Sequence, residues 1–359
     1  MEGLAVMDPA AFRGKRVLIT GHTGFKGAWL AIWLEKLGAH VIGVALDPEV
    51  EDCLYSVSRI GDRIRDLRCD IRNGQQVADL MAAERPEIVL HLAAQALVLE
   101  SYRSPIATFE VNVMGTAHVL EAIRRTPSVK AAVMVTTDKC YENREQTEGY
   151  KETDALGGHD PYSASKGAAE IVIASYRRSF FSETGSAGIA SARSGNVVGG
   201  GDWSADRIVP DLLRAVETGL PLTVRNPGSV RPWQHVLEPL HGYLLLAERL
   251  LSDPMGYAEA WNFGPAAEQV HTVRDLVDAM HQRMGKGAWH GAEGTGLPYE
   301  ARLLMLNIDK ATRRLGWRPK LSFAETVRLT AEWYMYRGMK DPLELCHEQI
   351  DQYCALGSK

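Results

Sequence analysis

Long apolar runs are missing from the chain. Nowhere in its 359 residues does an uninterrupted hydrophobic stretch reach the roughly 20 residues a membrane-spanning helix needs. The opening MEGLAVMDPAAFRGKR also lacks a basic segment followed by an apolar one, so neither secretion nor membrane insertion is expected. Positive charge is not in excess either: 40 Lys and Arg stand against 45 Asp and Glu, a formal charge of -5. Without a basic run there is no source of the counterion release that drives nucleic-acid binding. Cysteine is sparse and scattered: the five (Cys53, Cys69, Cys140, Cys346 and Cys354) form no CxxC and no Cys/His metal spacing. Reduced thiols, a cytoplasmic setting and no metal centre are the reading, and repeats and low-complexity tracts are absent. What is present is ordinary globular composition, 45% hydrophobic and 24% charged, enough for one large domain or two modest ones.

Short β-rich runs alternate with longer helical patterns through the first half. RVLIT (16–20) is followed by a helix over 25–38 and by HVIGVAL (40–46). PEIVLHLAA (86–94), a helix over 105–125, VKAAVMVTT (129–137), a helix over 161–181 and AGIASAR (187–193) continue the rhythm. Such alternation predicts right-handed crossovers and a parallel sheet with helices on both faces. After Ser194 the rhythm loosens and helices are expected near 207–218, 235–252, 272–285 and 322–337. The expected organisation is a nucleotide-binding domain over 1–193, to which later segments return, and a smaller substrate-binding lobe over 194–359. Open α/β sheets bind ligands over the carboxyl ends of their strands, where that lobe would sit.

The segment ITGHTGFKGAWLAIWLEKLG places Gly21, Gly24 and Gly27 in a GxxGxxG pattern between a strand and an amphipathic helix. Glycines there permit a tight turn and close backbone approach, and the helix N-terminus suits a pyrophosphate. This is the dinucleotide cradle of a Rossmann-type sheet. His22 stands in the loop, either touching phosphate or ribose or exposed to solvent. Asp47 follows Gly27 by twenty positions, the interval expected of an acid that bonds the ribose 2′-hydroxyl and repels a 2′-phosphate. No arginine adjoins it, which favours NAD over NADP; Asp70 is a second candidate, for the adenine.

YSASK sets Tyr162 and Lys166 one helical turn apart on one face of a helix that starts near Pro161. An ammonium beside a phenol favours the phenolate and is expected to bring the tyrosine down from about 10 toward working pH. By itself YxxxK means little. After a glycine cradle and a threonine-bearing strand end at 136–137, it marks a proton-handling site.

Taken together, GHTGFKG, HLAA, NVMGT, TTDK and YSASK resemble the extended short-chain dehydrogenase/reductase superfamily, in its nucleotide-sugar branch. TDKCYEN, GGGDWSADRIVPD and RPWQHVLEPLHGYLLLAE more narrowly resemble the CDP-glucose 4,6-dehydratases of that branch. The resemblance implies cofactor contacts for Thr23, Phe25, Ile71, Leu92, Ala93, Ala94, Asn112 and Thr136, besides Tyr162 and Lys166. It implies three steps with one NAD: oxidation at sugar C4 with Tyr162 as base, assisted by Thr137 and Lys166; loss of water across C5 and C6; and return of hydride to C6. The product implied is CDP-4-keto-6-deoxyglucose, on the way to the dideoxyhexoses of cell-surface polysaccharide such as lipopolysaccharide O-antigen. The elimination needs an acid and a base. Related dehydratases place an Asp–Glu sequence after a threonine; this chain has Asp138–Lys139. Asp138 takes the acid role by position. Lys139 acts either as the base, which requires a neutral amine, or as a fixed charge that stabilises the enolate.

In the substrate lobe, Arg231 and Arg207 are candidates for the diphosphate, because a guanidinium fork matches phosphate oxygens. Asn196 and Arg193 are further substrate candidates by resemblance, Asp202 and Trp203 follow the glycine run, and Gln95 lies just past HLAA. Gln234, His235 and Glu300 complete the set. Cys140 has no activating histidine nearby in sequence and reads as a small buried thiol. The resemblance also implies a homodimer pairing the helices at 105–125 and 161–181. Two other readings stay open: a 4-epimerase or a dehydratase for another nucleotide sugar, and a regulator that binds NAD without turnover.

Overall fold

The apolar runs fold as strands buried on both faces, which parallel sheets flanked by helices require. In chain order the strands are β1 (Arg16–Thr20), β2 (His40–Ala45), β3 (Arg65–Arg68), which is a polar and partly exposed edge strand, β4 (Ile88–His91), β5 (Ala131–Val135) and β6 (Gly188–Arg193). A computed structural model describes residues 7–292 and 303–356. The chain returns to the sheet with a strand at Ala260–Asn262, and the seven run Ala260–Asn262, β6, β5, β4, β1, β2, β3. Every neighbouring pair in this sheet is parallel. Strand order reverses between β1 and β4, so a crevice opens above their carboxyl ends, where ligands enter doubly wound sheets.

The helix after β1, Phe25–Lys36, buries Trp29 and Trp33 and almost its whole circumference. A helix apolar all round must be covered all round. The sheet lies on one side, and the helices Leu237–Ser252 and Pro342–Ala355 pack on the others. The expected helix over 105–125 is interrupted: Pro105–Phe109 and Thr116–Arg124 flank a wider π-type turn at Glu110–Gly115 that carries Asn112. Such turns cluster at functional sites. Besides three short helices of four to six residues (Leu54–Ser58, Val98–Arg103 and Pro254–Tyr257), two longer ones lay outside the sequence reading. Gly74–Glu84 buries only Val77 and Met81, too sparse a stripe to stand out. Pro342–Ala355 does carry a start signal, Asp341 as N-cap and Pro342 at the first position. Over the crevice, strand Leu222–Val224 pairs with Trp289–Gly291, and Val230–Arg231 pairs with His271–Thr272. Among the described residues no helix is long and apolar enough to cross a membrane.

Candidate active site

At the crevice, the turns after β1 and β4 touch. Gly21 bends the chain at φ +80°, and a side chain there would lie 2.7 Å from the Ala93 nitrogen. A Cβ on Gly27 would fall 2.1 Å from the Gly21 oxygen, so the helix can start against the turn only with glycine there. Gly24 is the N-cap and no side chain caps the first turn, which leaves its N–H groups to an anionic ligand. A pyrophosphate fits this cradle on the structure's own terms. One cleft of about 940 Å³ runs from the glycine loop past Thr136–Lys139, Tyr162 and Lys166 to Arg207, Arg225 and Arg231. Thr23, Phe25, Asp70, Ile71 and the Leu92–Gln95 turn line the cofactor side.

Asp47 also lines the cleft, 84% exposed, but the fold gives it the arginine its sequence neighbours lack. Arg68 of β3 donates its Nε to Asp47 at 2.6 Å, while its other nitrogens bond Asp66 and the Tyr55 hydroxyl. A guanidinium engaged by two carboxylates is not available to a 2′-phosphate. His22 fits neither expectation, ligand contact or exposure. Its ring is fully buried and lies across Gly43 of β2, with Nε2 bonded to Asp66 Oδ1 at 2.6 Å. Burial lowers its pKa, chiefly against the pull of Asp66. Asn112 is likewise behind the wall. It accepts from the Gln95 N–H at 2.9 Å, and its Nδ2 donates to Gln95 O (3.0 Å) and to Ser165 Oγ (2.8 Å), tying the β4 turn to the Tyr162 helix.

That helix begins at Pro161, capped by Asp160, whose carboxylate accepts from the Ser163 N–H at 2.9 Å. Tyr162 and Lys166 therefore face the cleft together, both buried. The Thr137 side chain lies close enough to the Tyr162 phenol to favour its ionised form. Burial nevertheless pushes the phenol up to about 12, with Asp138 adding to the rise, so the expected lowering does not occur in the free protein. Burial likewise draws Lys166 down to about 8 against the pull of Glu170.

Thr137 caps the short turn Asp138–Cys140 and donates to Asp138 Oδ1 at 2.9 Å. Asn196 Nδ2 donates to Asp138 Oδ2 at 3.1 Å. Asp138 is fully buried, whereas Lys139 is partly exposed on the cleft wall. Gly195 makes room for the carboxylate, since a Cβ there would stand 1.8 Å from Asp138 Oδ2. Gly195→Ala is therefore expected to displace Asp138 and lower turnover by roughly a hundredfold, the cost of an ångström's misplacement. Steady-state kinetics on folded protein checks it. Cys140 is buried and its thiol pushed far up by burial, which makes it inert.

Arg193, expected to face substrate, is instead the buried partner of Glu170. Its Nη2 meets Glu170 Oε2 at 2.7 Å and its Nη1 donates to the Tyr141 hydroxyl at 2.7 Å. Glu170 also accepts from Thr136 Oγ1 (2.5 Å) and Ser191 Oγ (2.8 Å), so the pair clamps β5, β6 and the Tyr162 helix. Breaking such a buried pair costs roughly 3–5 kcal/mol. Gln234 and His235 do not reach the cleft either. Gln234 donates to Gly195 O and Phe263 O, and His235 packs edge-on against Trp29. Gln95 lines the cleft, but its amide is spent on Thr108 Oγ1 and the Leu97 N–H. Arg207, Arg231, Asp202 and Trp203 do line it; Arg207 is held by Asp202 at 3.1 Å, and Trp203 packs on Tyr334. Glu300 lies outside the described residues.

Lys26 was not singled out from the sequence, although it stands inside the glycine motif. Its Nζ donates to Ser194 Oγ at 3.0 Å, and Ser194 shares a 2.5 Å hydrogen bond with the Tyr243 hydroxyl. Burial first, and Arg207 second, bring this amine down to about 7.

Known proteins resemble this chain in sequence and fold. Residues 18–330 match the family described as GDP-mannose 4,6 dehydratase. The chain is 46% identical over 354 residues to CDP-glucose 4,6-dehydratase of Salmonella typhimurium, covering 97% of this chain and 98% of that one. It is 25% identical to dTDP-glucose 4,6-dehydratase 1 of Escherichia coli, covering 89% and 92%. Among solved structures, the UDP-glucose 4-epimerase of Thermus thermophilus in complex with NAD superposes with a TM-score of 0.77 at 28% identity, over 90% of this chain and all of that one. The glycine cradle, the Tyr162 helix and the reversed strand order are thus those of a wider kindred: the chain belongs to the GDP-mannose 4,6 dehydratase family, in the nucleotide-sugar branch of the extended short-chain dehydrogenases/reductases.

Proposed function

We infer that the protein is an NAD-dependent hydro-lyase that converts CDP-glucose to CDP-4-keto-6-deoxyglucose. The observation that carries this reading is the convergence of Tyr162, Thr137, Asp138 and Lys139 on one cleft beside the glycine cradle. An epimerase has no use for an acid and a second proton-handling group next to the threonine; an elimination needs both. A non-catalytic NAD-binding regulator would need neither the phenol nor its lysine. The 46% identity to a CDP-glucose 4,6-dehydratase supports the choice of nucleotide.

The uncapped first turn of Phe25–Lys36 would hold the cofactor's pyrophosphate, Asp47 its adenosine ribose, and Lys166 the ribose beside the reacting ring. When bound, NAD supplies an acceptor for the C4 hydride, the donor that returns it at C6, and a positive charge in the cleft. Tyr162 takes the C4 hydroxyl proton, with Thr137 close beside its phenol. Oxidation to a 4-ketone acidifies the C5 proton. Asp138, fixed by Thr137 and Asn196, gives its proton to the departing C6 hydroxyl. Lys139 acts at C5, as the base or as the charge that holds the enolate oxygen. Arg207 and Arg231 take the diphosphate.

A pairing of two subunits belongs to the same reading. Ile106 and Met114, on the 105–124 helical segment, and Ile171, on the Tyr162 helix, are 71%, 51% and 60% exposed. Apolar side chains of that kind on two neighbouring helices suit a four-helix bundle with a second copy. The fate of the product, toward dideoxyhexoses of cell-surface polysaccharide, follows from the same assignment, as does a cytoplasmic site of action.

Incubation with NAD and CDP-glucose is expected to yield a 4-keto sugar, detected by its near-ultraviolet absorbance in alkali. CDP-glucose should be used faster than UDP-, dTDP- or GDP-glucose. Faster use of any of the other three overturns the nucleotide assignment.

A further inference from the structure

The far end of the cleft is walled by the first turn of the helix Ile208–Thr218 and by the strand Leu222–Val224 with Arg225 after it. Asp211 sits on that first turn, its N–H bonded to the Arg207 carbonyl at 2.9 Å. It is thus one turn beyond Arg207 on the same helical face, about 5–6 Å further along. Arg207 is the end of this face that the catalytic groups feel, since its charge acts on both Lys26 and Tyr162. If Arg207 holds the diphosphate, the nucleoside extends the other way, toward Asp211.

Asp211 has a free acceptor. Its Oδ1 takes a hydrogen bond from Arg214 at 2.6 Å, while Oδ2 has no partner among the described residues. Arg225, which lines the same end of the cleft, forms no hydrogen bond or ion pair among the described residues, yet its charge reaches Asp211. An acceptor and a cationic donor thus stand near one another at the cleft end. Cytosine presents an exocyclic amine donor where uracil and thymine present the O4 acceptor. A carboxylate discriminates between these without contacting any other part of the base, because O4 set against it would be repelled.

We propose that Asp211 and Arg225 read the base of the substrate: Asp211 accepts from the exocyclic amine of cytosine, and Arg225 donates to its ring acceptors. This rests on the reading that a CDP-sugar is the substrate and assigns the residues that select it. Both departures from neutrality are needed, since an apolar pair here would accept any pyrimidine.

The test compares kcat/KM for CDP-glucose and UDP-glucose in the wild type and in Asp211→Asn, whose amide can donate to O4. The wild type is expected to prefer CDP-glucose. In the variant that ratio falls at least about tenfold, mainly through KM, with kcat for saturating CDP-glucose within about twofold. A ratio within about twofold of wild type overturns the proposal. Should Asp211→Asn not fold, Arg225→Met carries the test from the other wall: KM for CDP-glucose rises at least about fivefold with kcat retained, and an unchanged KM overturns the proposal. A wild type that prefers UDP-glucose sinks the functional reading itself; a wild type that prefers CDP-glucose, with both variants unaltered, sinks only the base-reading role.

Discussion

Tyr162→Phe is expected to slow C4 oxidation at least about a thousandfold, or ~4 kcal/mol of barrier. The loss follows from the site's construction. Tyr162 lies on the cleft wall close to Thr137, and a positioned base is worth about a hundred- to ten-thousandfold. Removal of the hydroxyl leaves the fold alone, because the ring keeps its buried place at the start of the Pro161–Phe180 helix. Single-turnover absorbance of the reduced cofactor reads the step directly. A rate within about tenfold of wild type would mean that another group takes the proton. The pH profile provides a second reading. Burial pushes the free phenol up to about 12, so proton transfer needs positive charge; Arg207 already draws the phenol down, and Lys166, one turn along the same helix, is expected to add to this only while protonated. Lys166 lies at about 8. Below that pH it is an ammonium and favours the phenolate; as pH rises through about 8 it loses its charge, and the oxidation rate is expected to lose that assistance. The falling limb should vanish in Lys166→Met, whose rate is low at every pH.

How much of this was legible in the sequence depends on the range of the interaction. The glycine cradle and the Tyr162–Lys166 pair are local, set by spacings of three and four residues, and each takes its place in the cleft. Five of the seven strands of the parallel sheet were legible for the same reason, as short apolar runs between turns, whereas Arg65–Arg68 is polar and Ala260–Asn262 too short to stand out. Arg193 was not. Beside Asn196 it reads as a substrate cation, but it is the last residue of β6, and Glu170, two turns along the helix from Tyr162, reaches it from 23 residues away. The partner that decides its role belongs to another element. His22 turns inward because Gly43 leaves space for its ring and Asp66, 44 residues on, gives it a hydrogen bond. Arg68 meets Asp47 only because β2 and β3 pair in parallel, with Ala45 opposite Arg68. The direction of the Tyr162 shift failed for a physical reason of the same kind: sequence shows a lysine one turn from the phenol but not the burial that dominates its titration.

Lys139→Met separates the two chemistries that share the cleft. Lys139 is next to the buried acid candidate Asp138 and keeps part of its surface open to the cleft. Its removal leaves the Thr137–Tyr162 contact in place, so C4 oxidation is expected to continue within about tenfold. Elimination is expected to fall by about a hundredfold or more, whichever of its two roles it plays. The roles part in solvent deuterium. If Lys139 is the base, exchange at C5 of the bound ketone falls together with elimination. If it is the fixed charge that holds the enolate, Lys139→Arg restores much of the exchange, because a guanidinium keeps the charge but does not give up its proton. Wild-type elimination in Lys139→Met would remove the residue from the reaction altogether. The proton at C5 would then have to be taken by another cleft group, and Lys26, brought down to about 7 and facing the same space, is the amine already placed for it.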